Sequence, residues 1–200
     1  EALLRAHAAR AGAPPLAGAR ALALAQGLEG GTAVERAVAL AAVNALTASA
    51  WRCLGYAPPP AGNSLGDVTL TAGDHLGMIG FFPPLVERVQ AAGGRLTVVE
   101  LDAAMVARQR ARYPDLDITL ERAALAPCNR IVGTSTMLLN DTLDTMLAAA
   151  SAAQSFALIG PSAGLWPDAL FARGVTLMGG TLVTDGPALR QAMQAGASWS

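Results

Sequence analysis

The stretch Asp74–Asp102, DHLGMIGFFPPLVERVQAAGGRLTVVELD, decides the fold. Its opening, DHLGMIGFF, is a short continuous apolar run. PPLVERVQAAGG then begins on proline and ends on glycine, the punctuation of a helix: proline loses no intrahelical bond in the first turn, and glycine ends the last. RLTVVELD is a second apolar run. Two unbroken apolar runs joined by a helix read as parallel strands buried on both faces.

The pattern continues outward. AAMVARQRARYP (103–114) reads as a helix, DITLE (117–121) as a short third strand and NRIVGTS (129–135) as a fourth. The helix NDTLDTMLAAASAA (140–153) follows, then a fifth strand, SFALIGPSA (155–163), and the helix WPDALFARG (166–174). VTLMGG (175–180) is a sixth strand, and GPALRQAMQAG (186–196) a closing helix. Such alternation predicts an α/β fold, a Rossmann-like, doubly wound, mainly parallel sheet over residues 66–200.

Residues 1–60 differ in texture. They are alanine-rich and predict a small, mostly helical domain. A first helix is expected over Leu16–Leu28, stopped by Gly30 and Gly31. Thr32 with Glu35 three positions on forms a capping-box signature for a second helix running to about Trp51. Val34, Val38, Ala41, Ala45 and Ala48 recur on one face of it. GYAPPPAGNSLGD (55–67) reads as a linker.

Composition excludes whole chemistries. All fourteen basic residues among the 200 are arginine, so there is no lysine. Schiff-base catalysis and the lysine-ended phosphate loop are impossible. A net charge of −1 and 4% aromatic content speak against a nucleic-acid partner. No apolar run of membrane-spanning length is uninterrupted: the best, residues 33–51, carries Glu35, Arg36 and Asn44, so no membrane partner is expected. Cys53 and Cys128 are far apart and in no metal-ligand spacing, which predicts two buried thiols and a reducing, cytoplasmic setting.

In an open parallel sheet, ligands sit beyond the carboxyl ends of the strands, where strand order reverses. Four strand-end loops therefore carry the candidates. Gly77–Pro84 keeps Gly77 and Gly80 of a dinucleotide fingerprint but replaces the rest with phenylalanine and proline. Glu100 lies twenty positions after Gly80, near where a ribose-binding acid is expected. Gly133–Thr142 gathers Thr134, Ser135, Thr136, Asn140 and Thr142, with Asn140 also suited to cap the next helix. Gly160–Gly164 is a tight turn with exposed amides. His75 is a lesser candidate. No cofactor is specified by these residues; a metal ion is one candidate, and Asp67, Asp74, His75, Glu100, Asp102 and Asp141 would supply oxygen ligands for it only if the fold gathers them.

These loops resemble a known family. IGFFPPLVERV with LTVVELD, VGTSTMLLNDTLDTML and IGPSAGLWPDALFARGVTLMGG are similar to motifs of the heavy-metal chelation family, long catalogued as a domain of unknown function. AVERAVALAAVNAL resembles a helix of its N-terminal domain. The resemblance implies an enolase-N-terminal-like domain packed on a Rossmann-like one, with the site in the cleft between them. It also implies site residues Asn44, Gly80, Phe81, Pro83, Glu100, Thr134, Thr136, Asn140, Pro161 and Ser162. One departure stands: that N-terminal domain normally opens with strands, and nothing before Leu16 reads as one.

The expected function is therefore binding of a small molecule or metal complex, in metal chelation or chelator handling. The rival is a nucleotide-cofactor enzyme, an NAD-dependent oxidoreductase or S-adenosylmethionine-dependent methyltransferase, resting on Gly80 and Glu100. A third reading is an assembly protein, a homodimer through its alanine-rich helices.

Overall fold

The computed structural model describes residues 16–60 and 70–197. The first helical region is shorter than expected: α1 spans Ala21–Ala25 and tightens into a 3-10 turn over Gln26–Leu28. Gly18 and Gly27, poor helix formers, lie in the two parts of the run that are not α-helical. The second helix, α2 (Ala33–Leu54), starts as read, with Thr32 N–H donating to Glu35 at 2.8 Å and Glu35 N–H returning to Thr32 Oγ1 at 3.4 Å. Its buried face is not the expected one. Ala39, Leu40, Ala42 and Thr47 are buried, whereas Ala41 and Ala45 are exposed. A helix apolar on every side gives periodicity little contrast, so packing chooses the face. By length and composition α2 would also suffice to cross a membrane.

Strand and helix then alternate: β1 (His75–Ile79), α3 (Pro83–Ala91), β2 (Arg95–Val99), α4 (Ala103–Arg112), β3 (Asp117–Thr119) and β4 (Arg130–Thr134). The chain continues through α5 (Leu143–Ala149), β5 (Ser155–Ile159), α6 (Asp168–Phe171), β6 (Leu177–Gly179) and α7 (Gly186–Gln194). The six strands form one parallel sheet in the order β3-β2-β1-β4-β5-β6. This is the doubly wound order expected, with its reversal between β1 and β4. Among the described residues no strand precedes His75. Residues 61–67 of the expected linker, Asp67 included, and residues 1–15 lie outside the described ones.

Side chains alternate between two cores. Leu76, Met78, Val98, Ile118 and Val132 pack with Leu85, Val86 and Val89 of α3 and Val106 of α4. Ile79, Val99, Ile131, Phe156 and Leu158 pack with Leu125, Met137, Met146 and Leu170 on the other face. Each fully buried Leu, Ile, Met or Val contributes about 1.5–3 kcal/mol of transfer free energy. Burial on both faces is why the strands read as unbroken apolar runs.

Candidate functional site

The carboxyl ends of β1 and β4 face each other where strand order reverses. Gly80 continues the β1–β2 ladder by one bond, its N–H donating to Val99 O at 2.9 Å. It then turns at φ +80°, and a Cβ there would stand 3.1 Å from Thr134 Cγ2. Both the backbone angle and the close approach call for glycine. Gly160 plays the same part after β5. Its N–H donates to Gly179 O at 2.9 Å, its φ is +137°, and a Cβ would collide with Ser135 Oγ. The loops after β1, β4 and β5 thus approach one another closely, with Ser135 (2% exposed) against the β5 turn.

Above these contacts lie polar groups. The Thr134 and Thr136 hydroxyls are hydrogen-bonded to each other, and Thr136 N–H donates to Thr134 Oγ1 at 3.3 Å. Asn140 Oδ1 accepts from Thr142 Oγ1 at 2.7 Å. Asn140 is not the helix cap expected of it. Asp141 takes φ +61°, the chain leaves helical register, and α5 starts at Leu143 without a side-chain cap. Pro161 is exposed and Ser162 half-buried. The Ser162 carbonyl accepts from Asn44 Nδ2 at 3.0 Å, so α2 lies against the β5 turn. Asn44 Oδ1 is buried without a hydrogen-bond partner. Farther along, Trp51 packs on Tyr56 and Trp166 at 5.6 and 6.3 Å between ring centroids, and Trp166 Nε1–H donates to Asp168 at 3.0 Å.

The start of α3 departs from a phosphate cradle. Phe82 N–H donates to Met78 Sδ at 3.3 Å, Pro83 and Pro84 have no N–H, and Leu85 N–H is bound to Phe82 O at 2.9 Å. Those amides are the ones a pyrophosphate needs. Phe81, a candidate ligand contact, packs on Tyr113 at 5.2 Å between centroids, with Arg112 over the far ring. The nucleotide-cofactor expectation fails on this loop. Gly80 meets its fingerprint position, and the donors around it do not.

Comparison with known proteins follows this geometry. Residues 65–200 match the sequence model of DUF364, described as "Putative heavy-metal chelation". The chain belongs to the DUF364 family. A DUF364 protein of unknown function from Pyrococcus horikoshii superposes with a TM-score of 0.71 at 20% identity, over 88% of this chain and 69% of that one. Another, from Desulfitobacterium hafniense, gives 0.68 at 23% identity, over 90% and 68%. No functionally curated protein matches the chain.

Glu100 directly follows β2 of this DUF364 chain and is half-buried. Burial raises its carboxyl pKa first; the Leu101 amide opposes this, and Asp102 adds to it. Asp102 itself caps α4, accepting from Ala104 N–H at 2.7 Å and Met105 N–H at 3.1 Å. The remaining expected metal ligands are dispersed. Asp74 and His75 lie at the opposite end of β1, and no group of three His, Cys, Asp or Glu is gathered to hold an ion among the described residues. Cys128 is buried as expected and its thiol is pushed up to about 11 by that burial. Cys53 is exposed on α2, against expectation. Tyr113, which props Phe81, was invisible in the sequence: it ends a different helix, and no local spacing links the two.

Proposed function

We propose that this chain binds a small polar molecule, or a metal ion already carried by one, in the crevice between the ends of β1 and β4. The observation that carries this reading is the close approach of three strand-end loops, Gly80 to Thr134 and Gly160 to Ser135, at the point where strand order reverses. These loops present neutral hydroxyls and amides of Thr134, Thr136, Asn140 and Ser162, with Glu100 at the end of the neighbouring strand. Asn44 ties α2 to the same turn.

The family description supplies the metal. The donor set argues how it comes. A bare thiophilic ion needs deprotonated thiolates or gathered imidazoles. Here the buried thiol holds its proton well above neutral pH, and the described histidine is at the far end of the sheet. Hydroxyls and amides recognise the oxygen-rich shell of a chelate through neutral hydrogen bonds. In this reading the protein handles the complex, alone or as a homodimer, in a reducing compartment, without a nucleic-acid or membrane partner.

Thermal unfolding with Zn²⁺, Co²⁺ or Cd²⁺ alone, with citrate alone, and with each ion premixed with citrate separates these cases. A ligand at a hundredfold its Kd stabilises by about 2.7 kcal/mol. For a chain of this size that is a rise in Tm of roughly 5–10 °C. The expected result is a rise with an ion–citrate mixture that exceeds either component alone. A rise with the bare ion that citrate abolishes overturns the reading.

A further inference from the structure

The amino ends of β1, β2 and β3 carry a polar row, buried at His75 and Thr97 and exposed at Arg95 and Asp117, at the end of the sheet remote from the strand-end loops. His75 opens β1 and pairs in register with Arg95, which opens β2. Two residues on, Thr97 pairs with Asp117, which opens β3. His75 is 9% exposed and Thr97 3%. The His75 Nε2 atom lies 2.9 Å from Thr97 Oγ1, and the Thr97 hydroxyl donates to Asp117 Oδ2 at 3.0 Å. A hydroxyl has one proton. With that proton on the carboxylate, Thr97 can only accept from the ring, so Nε2 carries the imidazole proton. The other ring nitrogen, Nδ1, is buried and makes no hydrogen bond of good geometry.

Every group around the ring bears on a second proton. Arg95, directly across the ladder from β2, repels it. Asp117, from β3, attracts it from behind Thr97, and the Pro127 carbonyl, ahead of β4, also favours it. Cys128, in the same segment, stays a neutral thiol. Asp74, the neighbour on the chain, is bound to Arg130 and Asn129. A cavity of about 340 Å³, lined by His75, Arg95, Thr97 and Asp117 among others, opens this row to solvent.

We propose that His75 is a proton-sensitive latch whose neutral ring holds the amino ends of β1, β2 and β3 together and whose protonation loosens them. Burial, then Arg95, lowers the His75 pKa below the ordinary 6.5, and Asp117 and Pro127 only partly offset this. A histidine whose folded pKa is depressed contributes stability above its unfolded pKa and loses it as pH falls through that value toward the folded one. The other shifted carboxyls do not mimic this. Glu100, raised, gains on protonation, and Asp74, held far below the carboxylate range, keeps its charge to much lower pH.

The test is urea unfolding at pH 7.5 and 5.5 on the full chain and His75→Gln, with proton–nitrogen NMR of the imidazoles. The chain has only two histidines, so the variant assigns the signals. The wild-type folding equilibrium should fall roughly threefold to tenfold more than the variant's across that range. NMR should find His75 protonated at Nε2 and titrating below 6.5. An equal fall in both proteins overturns the latch. If the variant does not fold, the wild-type spectrum decides: an Nδ1-protonated tautomer, or titration at or above 6.5, overturns it.

Discussion

At one end of the sheet a buried carboxylate, Asp74, is fully paired; at the other, neutral polar side chains cluster on the strand-end loops. Asp74, ahead of β1, accepts from Thr71 N–H at 2.8 Å, Thr71 Oγ1 at 2.9 Å, Asn129 Nδ2 at 3.0 Å and Arg130 Nε at 2.7 Å. Arg130 first, then the Thr71 amide, hold its carboxyl well below the usual range despite burial. Asn129 Oδ1 in turn accepts from His75 N–H at 2.8 Å. At the carboxyl ends, the Thr134, Thr136, Asn140 and Thr142 side chains bond mainly to one another and stay partly open to solvent. Strand starts locked by buried hydrogen bonds leave the strand ends as the less committed part of the sheet. Binding residues are drawn from the less committed end of a fold.

Three substitutions probe that contrast. Asp74→Ala should do most damage, because it strips the partners from Arg130, Asn129 and Thr71 together. A loss of about 3 kcal/mol in urea unfolding is expected, while any folded protein keeps its affinity for an ion–citrate complex. Reduced affinity in protein that is still folded would mean the two ends are coupled. Gly160→Ala should cost about 2 kcal/mol through strain at φ +137° and collision with Ser135, and should also abolish binding. A variant with normal calorimetric titration would break the strand-end-loop account.

Glu100→Gln is the smallest. A carboxyl raised by burial is destabilising when ionised, a penalty absent at low pH and present once pH has risen through the folded pKa. The variant should therefore be slightly more stable than wild type at pH 7 and indistinguishable below pH 4. Parallel pH profiles for the two proteins would show that Glu100 is solvated.

Much of this organisation was legible in the residues. Unbroken runs such as RLTVVE and SFALI can only be strands covered on both sides, and their proline and glycine borders fix the alternation. The place of the candidate site came from the same alternation, since strand ends are where such folds bind. Three things were not legible. The buried face of α2 has no signature, because alanine makes every face apolar. Asn140 looked like a cap because nothing in the sequence announces the left-handed turn at Asp141. The paired charge at the strand starts depends on Asp74 meeting Asn129 and Arg130, which lie more than fifty positions away.

Amide chemical-shift mapping on addition of a cobalt–citrate complex tests the central claim most directly. The account predicts changes concentrated at Gly80, Glu100, Thr134–Asn140 and Ser162, with Arg95, Thr97 and Asp117 unmoved. Changes centred on those strand-start residues, or confined to the neighbourhood of Cys53, would contradict it.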